Sequence, residues 1–187
     1  MDTSATTGSL PVGVRGLGDQ VLSALAPLGL AMAAGTALVV DLDDEGLGYP
    51  GGRTLSQVAA EGPRRSEIRP EGEGVAILPN GGADPDSALE IVESLAHSWP
   101  AVVVRVGSRP VPWPVIPVRP LWPGFLAPEG ERAAVWQRVP GGTDPPGPGP
   151  VLPPPGRRTM IALLSGRRPV RSRWVRAWRD VWELPWR

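Results

Sequence analysis

Cysteine and lysine are both missing from this 187-residue chain. Without cysteine no disulfide and no thiolate metal site can form. Without lysine no step can depend on an ammonium group; all 19 basic residues are arginine, a bias that suggests a GC-rich genome. One histidine, His97, is no basis for a histidine-based metal centre. No apolar run approaches the roughly 20 residues that a membrane-spanning helix needs. The polar opening MDTSATTGS does not read as a signal peptide. These absences point to a cytoplasmic protein, peripheral at the inner membrane only if a surface helix lies on lipid.

What is abundant is proline (25), glycine (24) and a hydrophobic fraction of 41%. A chain of this length is expected to bury about 70% of its unfolded surface around one core, with long irregular connections. The net charge of zero hides an asymmetry. Residues 157–187 carry nine arginines against Asp180 and Glu183, a net +7, so residues 1–156 sum to −7. Two units follow from this: an α/β domain over 1–156, including a Pro/Gly-rich loop at 140–156, and a basic Trp/Arg-rich helical segment over 157–187. That segment either packs on the same domain or docks a partner.

The stretch TALVVDLDDEG (36–46) organises the reading. An apolar, β-branched run at 37–40 predicts a buried strand, and Asp41, Asp43, Asp44 and Glu45 stand at its carboxyl end, where open α/β sheets meet their ligands. Before it, residues 10–14 predict a strand and residues 15–20 a glycine-bearing turn. A helix is predicted over 21–34, with Pro27 and Gly29 counting against it. Strand, turn, helix and strand make a parallel βαβ unit. After it, Thr54 is placed as the cap of a short helix, residues 61–73 as exposed, and 75–78 as a strand. Asp84 and Pro85 start a helix ending at His97. Further strands are expected at 101–106, 115–118 and 133–139. Residues 140–156 read as a stiff exposed connection, or as a polyproline ligand for a groove. A helical turn or two follows at 158–164. The last element is 171–184, closed by Pro185. The fold class is α/β, a mainly parallel doubly wound sheet with helices on both faces.

In this order the pieces resemble the ParA/MinD family of deviant-Walker P-loop ATPases, of the SIMIBI class. The family's phosphate loop reads K-G-G-x-G-K-[ST]; Arg15-Gly16-Leu17-Gly18-Asp19-Gln20 stands in that slot with two glycines in register. Asp41-Leu42-Asp43-Asp44-Glu45-Gly46 is similar to its D-x-D-x-Q-G motif, and Thr54-Leu55-Ser56-Gln57-Val58 to G-L-S-D-V-L. The segment from 75 to 80 and the helix after it are similar to its V-x-x-L-P-A-G strand and helix. The resemblance implies a P-loop-like fold over most of the chain. It also implies that the nucleotide chemistry is lost. Asp19 replaces the phosphate-binding lysine, Gln20 the Mg²⁺-binding hydroxyl, and Arg105 the acid that organises metal and water. A carboxylate near a phosphate repels it by about 1 kcal/mol in water and about 4 near a protein surface.

The expected function is therefore non-enzymatic, with no cofactor: a degenerate member that positions or assembles a bacterial machine. Tad-type pilus assembly and septum placement are the family analogies. Protein partners are expected, among them a second copy or a secretion, pilus or division component; nucleic acid is not. Two alternatives stand beside this. One is a divergent ATPase using Arg15 with Asp41 and Asp43; the other is a membrane-surface protein.

Asp19 and Arg105 either pair in the vacated pocket or are solvated loop residues. The 41–45 carboxylates either hold a divalent cation or form a solvated acidic turn, and His97 reads as a surface or capping residue. In the last helix Trp174, Trp178 and Trp182 share a face opposite Arg176 and Arg179. That face serves core packing, a protein partner or an anionic membrane.

Overall fold

The computed structural model describes residues 10–68, 74–124, 135–169 and 171–184. The parts of the readings above that fall on 1–9, 69–73, 133–134 and Pro185 lie outside them. Seven strands form one sheet in which every neighbouring pair is parallel. They are β1 (Val12–Gly16), β2 (Ala37–Asp41), β3 (Val75–Leu78), β4 (Val102–Arg105), β5 (Val115–Pro120), β6 (Val135–Gln137) and β7 (Val151–Leu152), in the order β3-β2-β4-β1-β5-β6-β7. The helices are α1 (Gln20–Ala34), α2 (Leu55–Glu61), α3 (Arg65–Ile68), α4 (Pro85–Ala96), α5 (Arg157–Leu164) and α6 (Arg173–Trp182). The expected α/β fold with helices on both faces is what forms.

Strand alternation sorts the core into two layers. Val14, Val39, Val103, Ile116 and Val118 point into the layer covered by α1, α5 and α6. Leu38, Val40, Val102 and Val104 point the other way, against Leu55 and Val58 of α2 and Ala88, Val92 and Leu95 of α4. Residues buried on both faces explain why β2 and β4 read as continuous apolar runs. The helix starts are chemically specified. Thr54 and Gln57 form a reciprocal capping box at α2, and Asp84 with Pro85 opens α4 as its sequence predicts.

Two expectations need correction. Strand β1 ends at Gly16, two residues later than predicted, so Arg15 and Gly16 belong to the strand rather than the turn. Helix α1 forms over nearly the predicted span and runs through Pro27 and Gly29, both buried. Pro27 forfeits one backbone hydrogen bond, and packing on both sides of the helix outweighs that loss. The connection at 140–156 contains β7, whose Leu152 is fully buried; its flanking prolines masked so short a strand in the sequence. The stretch from 61 to 68 is largely exposed as expected, with Glu67 half-buried. Arg53 binds Glu67 at 2.7 Å and Glu61 at 3.0 Å, and the Trp99 indole donates to the Glu67 carbonyl.

The C-terminal helices belong to the same core as the sheet. Trp174 and Trp178 of α6 are fully buried, meeting edge to face with centroids 5.6 Å apart. They lie over Gly29 of α1, where a Cβ would overlap both indoles. Trp174 donates to the Gln137 side chain at 2.7 Å and Trp182 to the Leu30 carbonyl at 2.8 Å. Glycine inside α1 is thus a notch for the helix that crosses it, not a sign that the helix ends.

Candidate functional site

The chain runs from central β1 out to β2 and β3, returns to β4 between β2 and β1, then passes to β5 on the far side of β1. In open parallel sheets such a reversal leaves a crevice at the carboxyl ends of the strands. A cleft of about 510 Å³ lies there, lined by residues 15–20, Ser23, Asp43, Glu45, Gly46 and residues 106–108. Arg15, Gly16, Gly18, Asp19, Gln20 and Asp43 are thus brought together as the sequence suggested. Asp41 and Arg105 sit directly behind them.

The loop after β1 is shaped for close approach. A Cβ on Gly16 would overlap Ser23 at the start of α1, and Gly18 turns at φ 72°. Asp19 is the N-cap of α1: its carboxylate accepts from the Leu22 N–H at 2.9 Å, and its carbonyl accepts from Ser23 N–H at 2.9 Å. A helix N-terminus offers backbone donors and a partial positive charge to anions. Here the chain's own carboxylate occupies that position.

Asp41 and Arg105 are register partners on β2 and β4, so the sheet itself holds them side by side. Arg105 is fully buried. Its Nη1 is 3.3 Å from Asp41 and its Nη2 2.7 Å from Asp43, and Nη1 also donates to the Leu47 carbonyl. Its guanidinium carbon stands 5.2 Å from the Tyr49 ring centroid, and the Tyr49 hydroxyl donates to the Ala24 carbonyl at 2.7 Å. Gly46 lacks the Cβ that would overlap Arg105. Burial pushes Asp41 up to about 6, with Arg105 pulling against it. Burial also carries the Tyr49 hydroxyl well above its usual range, again against the pull of Arg105.

Asp19 and Arg105 do not pair. Asp19 is the half-buried cap of α1 and lines the cleft, whereas Arg105 is not solvated, since it takes both aspartates of β2 and the loop after it. The acidic turn also divides. Asp44 and Glu45 are exposed, whereas Asp41 is buried. Asp43 also accepts from the Glu45 N–H and, at 3.4 Å, from Ser23 Oγ. Arg15 lines the cleft with its Nη2 donating to the Arg109 carbonyl at 3.1 Å. The groups facing the cleft are then Asp19, Asp43 and Glu45 against Arg15 alone.

Tyr49, Gly46 and the Leu47 carbonyl were not anticipated. A signal existed for Arg105: a charged residue ending the run AVVVR, one strand from another that ends in Asp. His97 is an exposed C-cap whose Nδ1 bonds the Glu93 carbonyl. Of the candidates on α6, Trp174 and Trp178 are core residues and Trp182 is half-buried, while Arg176 and Arg179 are exposed. Trp174 and Trp178 are therefore spent on the core of the fold. None of the described helices is long and apolar enough to cross a membrane.

No family model matches the chain, and neither a curated protein nor a solved structure does.

Proposed function

We propose that this chain is a degenerate ParA/MinD-like protein that no longer turns over nucleotide and acts as a positioning or assembly partner. The observation that carries it is Asp19: the carboxylate at the start of α1 takes the place of a bound phosphate and repels another. The Arg105 cluster supports the same reading. Its guanidinium consumes the Asp41 and Asp43 oxygens that a divalent cation would need, which also counts against an ATPase built on Arg15 and those two aspartates. Tad-type pilus assembly is the narrower proposal and septum placement the next, both by analogy with the resembling family. On this reading the protein is cytoplasmic and the surface of the fold does the work.

Titration calorimetry with Mg-ATP tests the proposal. No binding is expected at millimolar nucleotide. Micromolar binding, with turnover abolished by Asp41→Ala, would overturn it.

A further inference from the structure

The two layers of the sandwich carry opposite charge on their outward sides. On α4, Asp86, Glu90 and Glu93 recur at i, i+4 and i+7; all are exposed, and the helix has no basic residue. On the other side of the sheet, the described part of 157–184 carries eight arginines, all exposed, against Asp180 and Glu183. Among the described residues neither the α4 stripe nor these arginines form an ion pair; the pairs that do form use Arg53, Arg64, Arg105 and Arg109. Each face also offers apolar surface. Ile161 and Leu164 of α5 are 49% and 37% exposed beside the arginines. A mainly apolar notch of about 50 Å³ flanks α4, lined by Pro85, Ala88, Leu89, Leu42 and Val111 together with Asp44 and Arg109.

We propose that the chain associates head to tail with further copies of itself, the Arg-rich α5–α6 face of one on the acidic α4 face of the next. The charge balance favours a second copy over a polyanion. The chain is neutral overall, so nucleic acid or an anionic membrane meets the acidic face as well as the basic one, whereas another copy complements both. Complementary fields steer association and fix its orientation, and the apolar contact supplies what rim charges alone do not. Because the two faces lie back to back and differ, the contact is heterologous. It therefore extends into a chain of copies or closes as a ring. The proposal goes beyond the nucleotide reading and does not depend on it, because neither the α4 carboxylates nor the α5–α6 arginines line the cleft.

Sedimentation equilibrium of the full chain tests it. At about 10 mM salt the weight-average mass is expected to climb past that of a dimer as concentration rises; at about 1 M, where charges are screened within about 3 Å, it returns to 19.8 kDa. Arg176→Glu with Arg179→Glu, and separately Glu90→Arg with Glu93→Arg, are each expected to stay monomeric with unchanged circular dichroism. Mixing the two variants restores assembly, because each supplies the face that the other now complements. A mass that stays monomeric at low salt overturns the proposal. So does a plateau at the dimer, which indicates a symmetric contact, and so does a failure of the mixture. Binding to a DNA duplex or to phosphatidylglycerol vesicles by a chain that remains monomeric would give the basic face to a polyanion instead.

Discussion

Helix α1 is held at two places by opposite chemistry. Its N-terminus enters a cluster of charges, with Asp19 as its cap and Asp43, Arg105 and Asp41 behind. Its middle lies under two buried indoles fitted against Gly29. In the charged region attraction is largely offset by the desolvation of the ions, so a buried pair adds little net stability. In the indole region burial meets a smaller opponent, the Trp178 Nε1 left without a hydrogen-bond partner. The comparison inverts what composition suggests. The Trp/Arg-rich tail resembles a surface device yet supplies structure through its tryptophans, and the ionic cleft resembles a working site while the Arg105 behind it is held by the chain's own Asp41 and Asp43.

The largest effect expected is on the indole side. Trp178→Ala removes a fully buried ring and should lower unfolding free energy by about 3–5 kcal/mol in urea titrations. Gly29→Ala should cost about 1–3 kcal/mol through overpacking, although alanine is the better helix former by about 1. A loss below that range would mean that α6 packs loosely and the contrast between the regions is false. For the same reason, truncating the chain before α6 does not leave a folded body on which to look for partners.

Arg105→Met should cost a similar amount near pH 7, about 3–5 kcal/mol, because Asp41 is left buried without its cation. The informative variant is the double, Asp41→Asn with Arg105→Met. If the pair contributes position rather than net stability, the double recovers most of that loss. A double as unstable as the single would show that the ion cluster stabilises in its own right.

Much of the fold was legible because apolar runs of strand length alternate with capped helical segments. The strand ends at Asp41 and Leu78 and the caps at Thr54 and Asp84 are fixed by local chemistry. β7 was not legible, since two residues between prolines carry no periodicity. Nor was the role of Gly29, which only the crossing helix reveals. For the site, the sequence located the residues but not their partners. Asp41 and Arg105 are 64 positions apart, and only the β2–β4 register makes them neighbours. Tyr49 carried no signal because its contacts lie across the sheet layers, on Ala24 and Arg105.

The ionic side should also respond to pH. Asp41 rises from an ordinary 3.8 to about 6 in the folded chain, so folding takes up a proton between those values. Its contribution is fully present below about pH 4 and is lost as pH rises through 6. Relative to Asp41→Asn, the natural chain should therefore lose up to about 3 kcal/mol between pH 4 and pH 7. Denaturant midpoints at both pH values check this. A pH-independent difference would mean that Arg105 fully compensates the buried charge.

The smallest effect on stability, and the finest cut into the comparison, comes from Asp19→Ser. Serine caps a helix about as well as aspartate, so the loss is confined to the charge at the helix N-terminus, about 0.3–1 kcal/mol. What changes is the cleft, which loses one of the carboxylates facing an incoming anion. Asp43 and Glu45 still face it and Arg15 is still turned toward the Arg109 carbonyl. Pyrophosphate affinity by calorimetry should therefore rise yet stay weaker than millimolar. If this single substitution gave micromolar binding, the loop from Arg15 to Gln20 would be an intact phosphate cradle closed only by Asp19. The cleft would then be one residue from holding phosphate, whereas Trp174 and Trp178 of α6 would remain core residues however its arginines were changed.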